Sequence, residues 1–196
     1  GDTDTYMFHC LPVTLKLLTQ KIWSISKQYF IQIVKEKQMI RVGQGFDVHK
    51  FVTGRPCIIG GVIIDHPYGL EGHSDADVLI HAISDAILGA AGLGDIGHHF
   101  PDNNPKFKDM SSRDILRVVV GLIRDEGYKI NNIDATVICE LPKISPYTKE
   151  MIRNIAKDCL CGLTQINIKA TTTESLGFTG RSEGIAAQAI CTIQVL

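Results

Sequence analysis

An aspartate and a histidine stand two residues apart in "VGQGFDVHKF", residues 42–51. In an extended segment, residues i and i+2 point to the same side, so Asp47 and His49 can reach for one object. A carboxylate oxygen and an imidazole nitrogen supply part of a zinc shell, which needs at least one more protein ligand. The stretch therefore indicates a partial metal site.

Candidates for the third ligand lie in "HSDADVLIHAISDAILGAAGLG". Ser74 followed by Asp77 fits a helix-capping pattern, and two glycines end the apolar run, so the sequence predicts a buried helix that Ser74 caps. Positions 73, 77 and 81 share one face if the helix begins early enough. His73 and His81 both offer an imidazole, and spacing alone leaves open which of them is the ligand.

The predicted helix start, near His73 and Ser74, also suits an anion. Free backbone N–H groups and the helix dipole favour negative charge at that end. A metal beside such a terminus indicates phosphoryl chemistry, with the metal acting as a Lewis acid on a phosphate oxygen. In the alternative interpretation, Ser74 does no more than cap the helix.

A second polar stretch is "KATTTESLGFTGRSEG", residues 169–184. The hydroxyl and N–H groups of its threonines could hold phosphates, and Glu174 could carry a hard cation such as Mg²⁺. Arg181 suits phosphate as a bidentate donor. The alternative is structural, with the threonines as ordinary strand formers and "GFTGR" as a turn.

The elements that must position these residues follow from periodicity and capping. The sequence predicts strands at 38–49, 55–65, 132–140, 166–174 and 184–196, and further helices from Ser111 or Ser112 to Gly127 and near 147–161. Strands and helices mix without strict βαβ alternation, which favours an α+β fold or a mixed sheet.

Bulk properties narrow the class of partner. The chain has 196 residues and a net charge of −1, which gives no electrostatic case for binding nucleic acid or a membrane surface. No run of 18 apolar residues occurs, so no transmembrane span is expected. Of six cysteines only Cys159 and Cys161 are close, and their spacing is not that of a zinc or redox motif, which favours buried thiols.

Residues 1–39 differ from the rest. No acidic residue occurs between Thr5 and Val34, and the apolar residues Leu15, Leu18, Ile22 and Ile25 recur at near-helical spacing. Such a segment is typical of an organelle transit peptide. A simple extra helix is the alternative.

Five stretches in this order resemble the 2-C-methyl-D-erythritol 2,4-cyclodiphosphate synthases of the non-mevalonate isoprenoid pathway: "GFDVH", "HSDADVLIHA", "LGDIGHHFPD", "PK" at 142–143 and "KATTTESLGFTGRSEGI". The resemblance runs from about residue 40 to 196. It implies conversion of 4-diphosphocytidyl-2-C-methyl-D-erythritol 2-phosphate to the cyclic diphosphate, with attack of the 2-phosphate on the β-phosphate and release of CMP. An enzyme for this reaction mainly folds its substrate and neutralises charge.

The resemblance also implies a role for individual residues. Zinc is expected on Asp47, His49 and His81, Mg²⁺ or Mn²⁺ on Glu174, and stabilisation of the transition state from His73 and Thr172. The implied substrate contacts are Asp47, Val48, His49, His73, Ser74, Asp95, Ile96, Gly97, Phe100, Pro101, Asp102, Asn103, Asn104, Phe178 and Arg181. The implied cytidine pocket consists of Cys139, Glu140, Leu141, Pro142, Lys143, Ile144, Ser145, Ala170, Thr171, Thr172 and Thr173.

The fold implied by the resemblance is an α+β domain over residues 40–196. It has a mixed four-stranded sheet with helices on one face, and it forms a chorismate-mutase-like homotrimer. The sheets face the threefold axis, and the active sites lie at subunit interfaces. The extension, residues 1–39, then suits import into a plastid-type organelle, with a cytoplasmic location if the source is bacterial.

Some positions depart from the common family pattern. Gln44, Ala76 and Ser182 stand where other residues are frequent, and Glu140 and Ser145 vary within the cytidine segment. None of these removes an expected ligand, so they bear on nucleotide affinity rather than on the reaction. Two other functions remain open: a zinc-dependent phosphohydrolase, for which no dedicated base is evident, and a non-catalytic binder of isoprenoid diphosphates or nucleotides.

Overall fold

The computed structural model describes residues 21–27, 39–101 and 110–196. The chain divides into two units, Gly1–Met39 and Ile40–Leu196. In the first unit residues 21–27 are helical, with Ile22 and Ile25 exposed, in agreement with the near-helical spacing of those two residues. Leu15 and Leu18 lie outside the described residues.

The second unit is built on a mixed sheet. Its strands are β1 (Ile40–Val52), β2 (Cys57–Ile59), β3 (Val62–Ile64), β4 (Gly69–Leu70), β5 (Tyr128–Ile138), β6 (Ile166–Thr171) and β7 (Gly184–Val195). One sheet has the order β4-β1-β7-β5-β6, and β2 pairs with β3 in a separate hairpin. β5 and β6 are parallel and the other pairs are antiparallel. The predicted mixed sheet of four long strands is thus present, with the short β4 added at its edge.

The helices pack on one side of this sheet. They are α1 (Val78–Ala91), α2 (Ile96–His99), α3 (Ser112–Asp125), α4 (Thr148–Asp158) and α5 (Gly177–Gly180), with a 3₁₀ turn at Leu163–Gln165. α1 packs across β1 and β7, α3 packs on α1 and β5, and α4 packs on β6. As the apolar run predicts, α1 is buried on almost every side. It lies at the centre of the core.

Glycines bring β1 and α1 into close contact. A Cβ atom added at Gly45 would lie 2.0 Å from the backbone oxygen of Ala82, and one at Gly43 would lie 2.0 Å from that of Ala86. Only a residue without a side chain fits at these positions. Asp47 and His49 continue the same alternation along β1, so their side chains also lie on the helix side of the sheet.

The opposite face of the sheet carries exposed apolar side chains. Val42, Phe46 and Val48 on β1 are 67%, 54% and 40% exposed, and Ile190 on β7 is 47% exposed. A face of this kind on a folded domain marks a surface that associates with another molecule.

The segment "RPCIIGGVIID" is not the single strand that its apolar run predicts. It forms the hairpin of β2 and β3, which turns at Gly60 and Gly61 with φ angles of +60° and +68°. L-residues with side chains rarely adopt such angles, so the glycine pair sets the turn. The strand predicted at 166–174 also ends early, because β6 stops at Thr171.

The cap of α1 differs from the prediction as well. The N-cap is Asp77 rather than Ser74, so the helix begins three residues later than expected and position 73 lies outside it. The Asp77 carboxylate accepts hydrogen bonds from the backbone N–H groups of Ile80, Gly60 and Gly61 and is fully buried. It joins the β2–β3 turn to the helix start, and it therefore does not share a ligand face with His73 and His81.

Among the described residues, no helix has both the length and the apolar character needed to cross a membrane. The described cysteines are free thiols. Cys57, Cys139, Cys159 and Cys191 are buried and Cys161 is half-buried, which agrees with the prediction of thiols packed in the core.

Candidate active site

β1 and α1 bring Asp47, His49 and His81 together. Asp47 Oδ2 lies 3.0 Å from His49 Nε2 and 3.1 Å from His81 Nδ1, and those two ring nitrogens are 3.1 Å apart. The three atoms form a nearly equilateral triangle. Of the two histidines that spacing left open, the structure places His81 in this cluster.

The electrostatics of the cluster favour an ionised carboxylate. Burial opposes the charge on Asp47, but hydrogen bonds and attraction from His49 and His81 outweigh it and hold the pKa of Asp47 well below its usual range. Burial likewise opposes a charge on His49, yet the neighbouring Asp47 and the Glu71 carbonyl raise the pKa of His49. The cluster is thus a site in which positive charge is stabilised.

The geometry of these atoms fits a divalent metal ion. One carboxylate oxygen and two imidazole nitrogens are a common zinc donor set, and a tetrahedral zinc shell has ligand atoms roughly 3.3 Å apart. The observed separations of 3.0–3.1 Å are close to that spacing. The three ligand atoms lie close enough together to bind one cation. With three protein ligands, such a site keeps a position for substrate.

Outer hydrogen bonds orient both imidazoles. His49 Nδ1 lies 2.6 Å from the carbonyl oxygen of Glu71. His81 Nε2 lies 2.9 Å from the hydroxyl of Ser112, at the start of α3. In each ring, one nitrogen faces the cluster and the other is held from outside.

His73 and Ser74 lie in the loop before α1. His73 is exposed, while the Ser74 hydroxyl lies 3.3 Å from His81 Nε2 and accepts a hydrogen bond from the N–H of Ala76. The Arg55 guanidinium donates to the carbonyl oxygens of Gly72 and Ser74 and so fixes the loop. Ser74 is therefore beside the cluster, although it does not cap the helix.

Asp95, Ile96 and Gly97 lie at the other end of α1. Asp95 caps the short helix α2 by accepting from the N–H of His98 at 2.9 Å, and the Ile96 N–H donates to Asp85 on α1 at 2.8 Å. Phe100 and Pro101 follow and are half-buried. Asp102, Asn103 and Asn104, which complete the predicted loop, lie outside the described residues.

The predicted cytidine residues form a second group at the ends of β5 and β6. The N–H of Cys139 donates to the Thr171 carbonyl at 3.1 Å, and one carboxylate oxygen of Glu140 accepts from the N–H groups of Thr173 and Ser175, each at 3.1 Å. The two segments are therefore held side by side. Leu141, Lys143 and Ser145 are exposed, as is Ala170, whereas Pro142 and Ile144 are buried.

The Thr172 hydroxyl donates to Glu174 Oε1 at 2.7 Å. Glu174 itself has a left-handed backbone, with φ +53°, which places its side chain at a sharp bend. Phe178 is 38% exposed, and Arg181 is exposed and paired with Glu183 at 2.8 Å. All four predicted side chains are thus available at the surface.

The metal cluster and the group of predicted cytidine residues lie at the same end of the sheet strands, but on different strands. His49 pairs with Ile185 and Ile138 pairs with Ala186, so the ends of β1 and β5 both lie beside the start of β7. Ile138 also pairs with Thr171, so the end of β6 lies beside the end of β5. β7 lies between β1 and β5. Since neighbouring strands are about 4.8 Å apart, the metal cluster and the second group are separated by roughly 10 Å or more within one chain.

Sequence reasoning missed the side chains that support the cluster. Ser112 was expected only as a possible helix cap, and Asp75 and Arg55 were not singled out. Their partners lie 17 to 37 residues away along the chain, so no local spacing signals the contacts. Glu140 was expected in the nucleotide pocket, but its observed contacts are with the loop that carries Glu174.

The fold and the cluster define a single class of protein. The model of the YgbB family matches residues 40–194, and the chain belongs to that family. The resemblance drawn from its sequence motifs is thereby confirmed.

Curated relatives are named 2-C-methyl-D-erythritol 2,4-cyclodiphosphate synthase. The one from Methylobacillus flagellatus is 62% identical over 156 residues, which cover 80% of this chain and 98% of the relative. The one from Bacillus subtilis is 56% identical over 156 residues, covering 80% and 99%. Both alignments extend over nearly the whole of the relative.

Solved structures agree with this assignment. The CDP complex of IspF from Plasmodium falciparum is 37% identical, with a TM-score of 0.70, over 80% of this chain and 96% of that protein. The bifunctional IspDF of Campylobacter jejuni is 44% identical, with a TM-score of 0.78, over 81% of this chain but 43% of its own length.

Proposed function

We infer that the chain converts 4-diphosphocytidyl-2-C-methyl-D-erythritol 2-phosphate to 2-C-methyl-D-erythritol 2,4-cyclodiphosphate and releases CMP. The observation that carries this conclusion is the Asp47, His49 and His81 cluster, which lies in a domain 62% identical to a curated synthase over 98% of its length. The 2-phosphate attacks the β-phosphorus within one molecule. The enzyme's task is therefore to fold the substrate and to neutralise its phosphates.

Asp47, His49 and His81 would hold one zinc ion per active site. Such an ion would supply Lewis-acid polarisation of the β-phosphate and help to position it. The donor set, the separations of 3.0–3.1 Å and the ionised carboxylate support this role. Val48 lies between two ligands with its side chain on the opposite face of β1, so its backbone is the part that contacts substrate. Ser74, whose hydroxyl is 3.3 Å from His81 Nε2, contributes a further contact.

His73 and Thr172 stabilise the charge that develops on phosphate in the transition state. His73 is exposed in the loop that Arg55 fixes, so its ring is available to the substrate. Thr172 donates to Glu174. Glu174 would hold the second cation, Mg²⁺ or Mn²⁺, an ion type that needs few protein ligands and could also bind substrate phosphate and water. Arg181 and Phe178 add further contacts.

The cytidine pocket is formed by the second group, residues 139–145 and 170–173. Exposed backbone and side chains there, held in place through Glu140, support a role in binding a nucleotide. The solved structure of IspF from Plasmodium falciparum, 37% identical, is of a CDP complex. Asp95, Ile96 and Gly97 hold the erythritol hydroxyls, and the segment 100–104 covers that part of the substrate.

A chorismate-mutase-like homotrimer accounts for the separation of the two groups. Val42, Phe46 and Ile190 leave an exposed apolar face on the sheet, which assembly about a threefold axis would bury. The metal cluster of one subunit then meets the cytidine pocket of its neighbour. Residues 1–39, poor in acidic residues, direct import into a plastid-type organelle.

Product analysis by phosphorus NMR tests the reaction. The purified chain with substrate, Zn²⁺ and Mg²⁺ is expected to yield CMP and two coupled phosphorus signals from one cyclic diphosphate. Orthophosphate would indicate a zinc-dependent phosphohydrolase instead, and binding without turnover would indicate a non-catalytic binder.

A pair of histidine variants connects that activity with the cluster. We expect His81→Ala to lose both zinc and product formation. The matched control is His66→Ala, which removes a histidine that packs on Phe51 and Tyr68 away from the cluster and should retain both. Turnover by zinc-free His81→Ala at the wild-type rate would contradict the ligand assignment.

A further inference from the structure

Ser112 and Asp75 form a hydrogen-bonded pair directly behind His81. The Ser112 hydroxyl lies 2.9 Å from His81 Nε2 and donates to Asp75 Oδ1. The Ser112 N–H also donates to Asp75, 3.2 Å from Oδ1 and 3.1 Å from Oδ2. Ser112 is fully buried and His81 is 7% exposed, so bulk water does not compete for these bonds.

The direction of the hydrogen bonds follows from the position of the cluster. His81 presents Nδ1 to Asp47 and His49, and a nitrogen that binds a metal does so through its lone pair. The ring proton then resides on Nε2, which donates to the Ser112 hydroxyl. The hydroxyl hydrogen is directed to Asp75, whose Oδ1 accepts it. The chain of donors runs from His81 through Ser112 to Asp75.

We propose that Ser112 and Asp75 are positioning residues which fix His81 as an Nδ1 metal ligand. This inference rests on the proposed metal site and adds to it a serine and a carboxylate from outside the cluster. Metal-binding histidines usually donate their second N–H to a carboxylate, carbonyl or water, which sets the tautomer and the ring orientation. Here a serine relays that contact to the carboxylate.

His49 provides an internal comparison. Its outer nitrogen, Nδ1, faces the backbone carbonyl of Glu71 at 2.6 Å, so it presents Nε2 to the metal. The two histidines therefore use opposite ring nitrogens. A backbone carbonyl persists in every variant, whereas the partner of His81 is a side chain that substitution can remove. The Ser74 hydroxyl is the other neighbour of His81 Nε2, but at 3.3 Å it is the weaker partner.

A purely structural role for the pair makes a different prediction. Asp75 also accepts from the N–H of Ser112 at the start of α3, so loss of Ser112 could act only on the stability of that helix. Ser111 is the matched control, because it caps the same helix by accepting from the N–H of Arg113 and does not contact His81 among the described residues. A structural role lowers the melting temperature in both variants and changes metal binding in neither.

The experiment measures Zn²⁺ affinity by competition with a chromophoric chelator, and the visible spectrum of the Co²⁺-substituted protein. We expect Ser112→Ala to bind Zn²⁺ about 10–100-fold more weakly and to shift the Co²⁺ bands, with Asp75→Asn changing both in the same direction. Ser111→Ala should leave the Zn²⁺ affinity within about threefold of the wild-type value and the Co²⁺ spectrum unchanged. Wild-type affinity and an unshifted Co²⁺ spectrum in folded Ser112→Ala would overturn the proposal.

Two further measurements separate the possible failures. In the Zn²⁺-loaded wild type, nitrogen-15 NMR of the histidine rings should show the Nε2–H form for His81 and the Nδ1–H form for His49, and the opposite form for His81 would overturn the proposal even if the variants do not fold. Asp47→Asn tests the metal site itself. Wild-type Zn²⁺ affinity in that variant would reject the site, whereas weakened binding there with no effect of Ser112→Ala would reject only the positioning pair.

Discussion

Replacing Gly45 by alanine should separate the metal ligands without touching any of them. Gly45 lies on the same face of β1 as Asp47, and the helix backbone opposite it belongs to Ala82, next to His81. The added Cβ would lie 2.0 Å from the Ala82 oxygen, whereas real Cβ atoms essentially never approach another heavy atom within 3.0 Å. Both contact atoms are fixed in the backbone or next to it, so a side-chain rotation cannot relieve the overlap.

The size of the displacement can be estimated from these distances. The strand and helix must separate by about 1 Å at this point, since interiors tolerate little overlap. The distance between Asp47 Oδ2 and His81 Nδ1, now 3.1 Å, would then approach about 4 Å. Metal–ligand distances in functioning sites stay within about 0.2 Å of their ideal values, so one ligand is lost.

We therefore expect Gly45→Ala to weaken Zn²⁺ binding by at least about 100-fold and to lower the free energy of unfolding by about 2–3 kcal/mol. Zn²⁺ titration by calorimetry and thermal melts followed by circular dichroism measure the two effects. The matched control is Gly89→Ala in α1, the helix that packs against Gly45, where the added Cβ lies 3.8 Å from the Gln44 oxygen. That variant should keep wild-type affinity and gain up to about 1 kcal/mol from helix propensity. Affinity within threefold of wild type in Gly45→Ala would refute the reasoning.

Three further predictions concern carboxylates away from the cluster or at its margin. The Asp158 side chain is 2% exposed and pairs with Arg113 and Arg117. Asp158→Asn breaks these ion pairs and should lower the free energy of unfolding, measured in urea melts, by about 3 kcal/mol while Zn²⁺ affinity stays unchanged. A loss of Zn²⁺ binding would contradict the prediction that these ion pairs do not affect the metal site. Burial raises the pKa of Asp77 from 3.8 to about 6, although three backbone N–H groups donate to its carboxylate. Between these two pH values the folded state keeps a proton on Asp77 that the unfolded state has released. The stability advantage of the wild type over Asp77→Asn is complete below pH 3.8 and should fall by about 3 kcal/mol as the pH rises through 6, and a difference independent of pH would exclude the shift. Glu174→Gln should abolish the Mg²⁺ dependence of turnover while Zn²⁺ stays bound, and an unchanged Mg²⁺ titration curve would remove Glu174 from the second cation site.

Much of the fold followed from patterns that are local in the sequence. The alternation in "NIDATVICE", which lies mostly in β5, and the apolar run of α1 survive in the structure because their apolar residues face the core. The metal cluster could also be predicted from the sequence, since Asp47 and His49 stand two residues apart on one strand and point to the same side. Only the choice between His73 and His81 stayed open.

The errors arose where a tertiary contact decides between two local solutions. Ser74 and Asp77 both have side chains suited to an N-cap, and Asp77 is selected because its carboxylate also accepts from Gly60 and Gly61. The sequence "IIGGVII" predicts one apolar strand, but its two glycines have left-handed backbone conformations and turn the chain into a hairpin. The link from His81 to Ser112 joins residues 31 apart and depends on how α3 packs, which periodicity does not specify.

The position of β7 has a consequence for biosynthesis. Among the strands that the structure describes it is the last to leave the ribosome, yet it lies between β1 and β5 in the finished sheet. Until β7 is synthesised, β1 has no long partner strand. During that time the unpaired backbone of β1 and the apolar surface of α1 are exposed to non-native contacts. Sheets that depend on such distant pairing form slowly and expose strand edges during synthesis. Expression yield should therefore respond to chaperone supply more strongly than the stability of the finished domain would suggest.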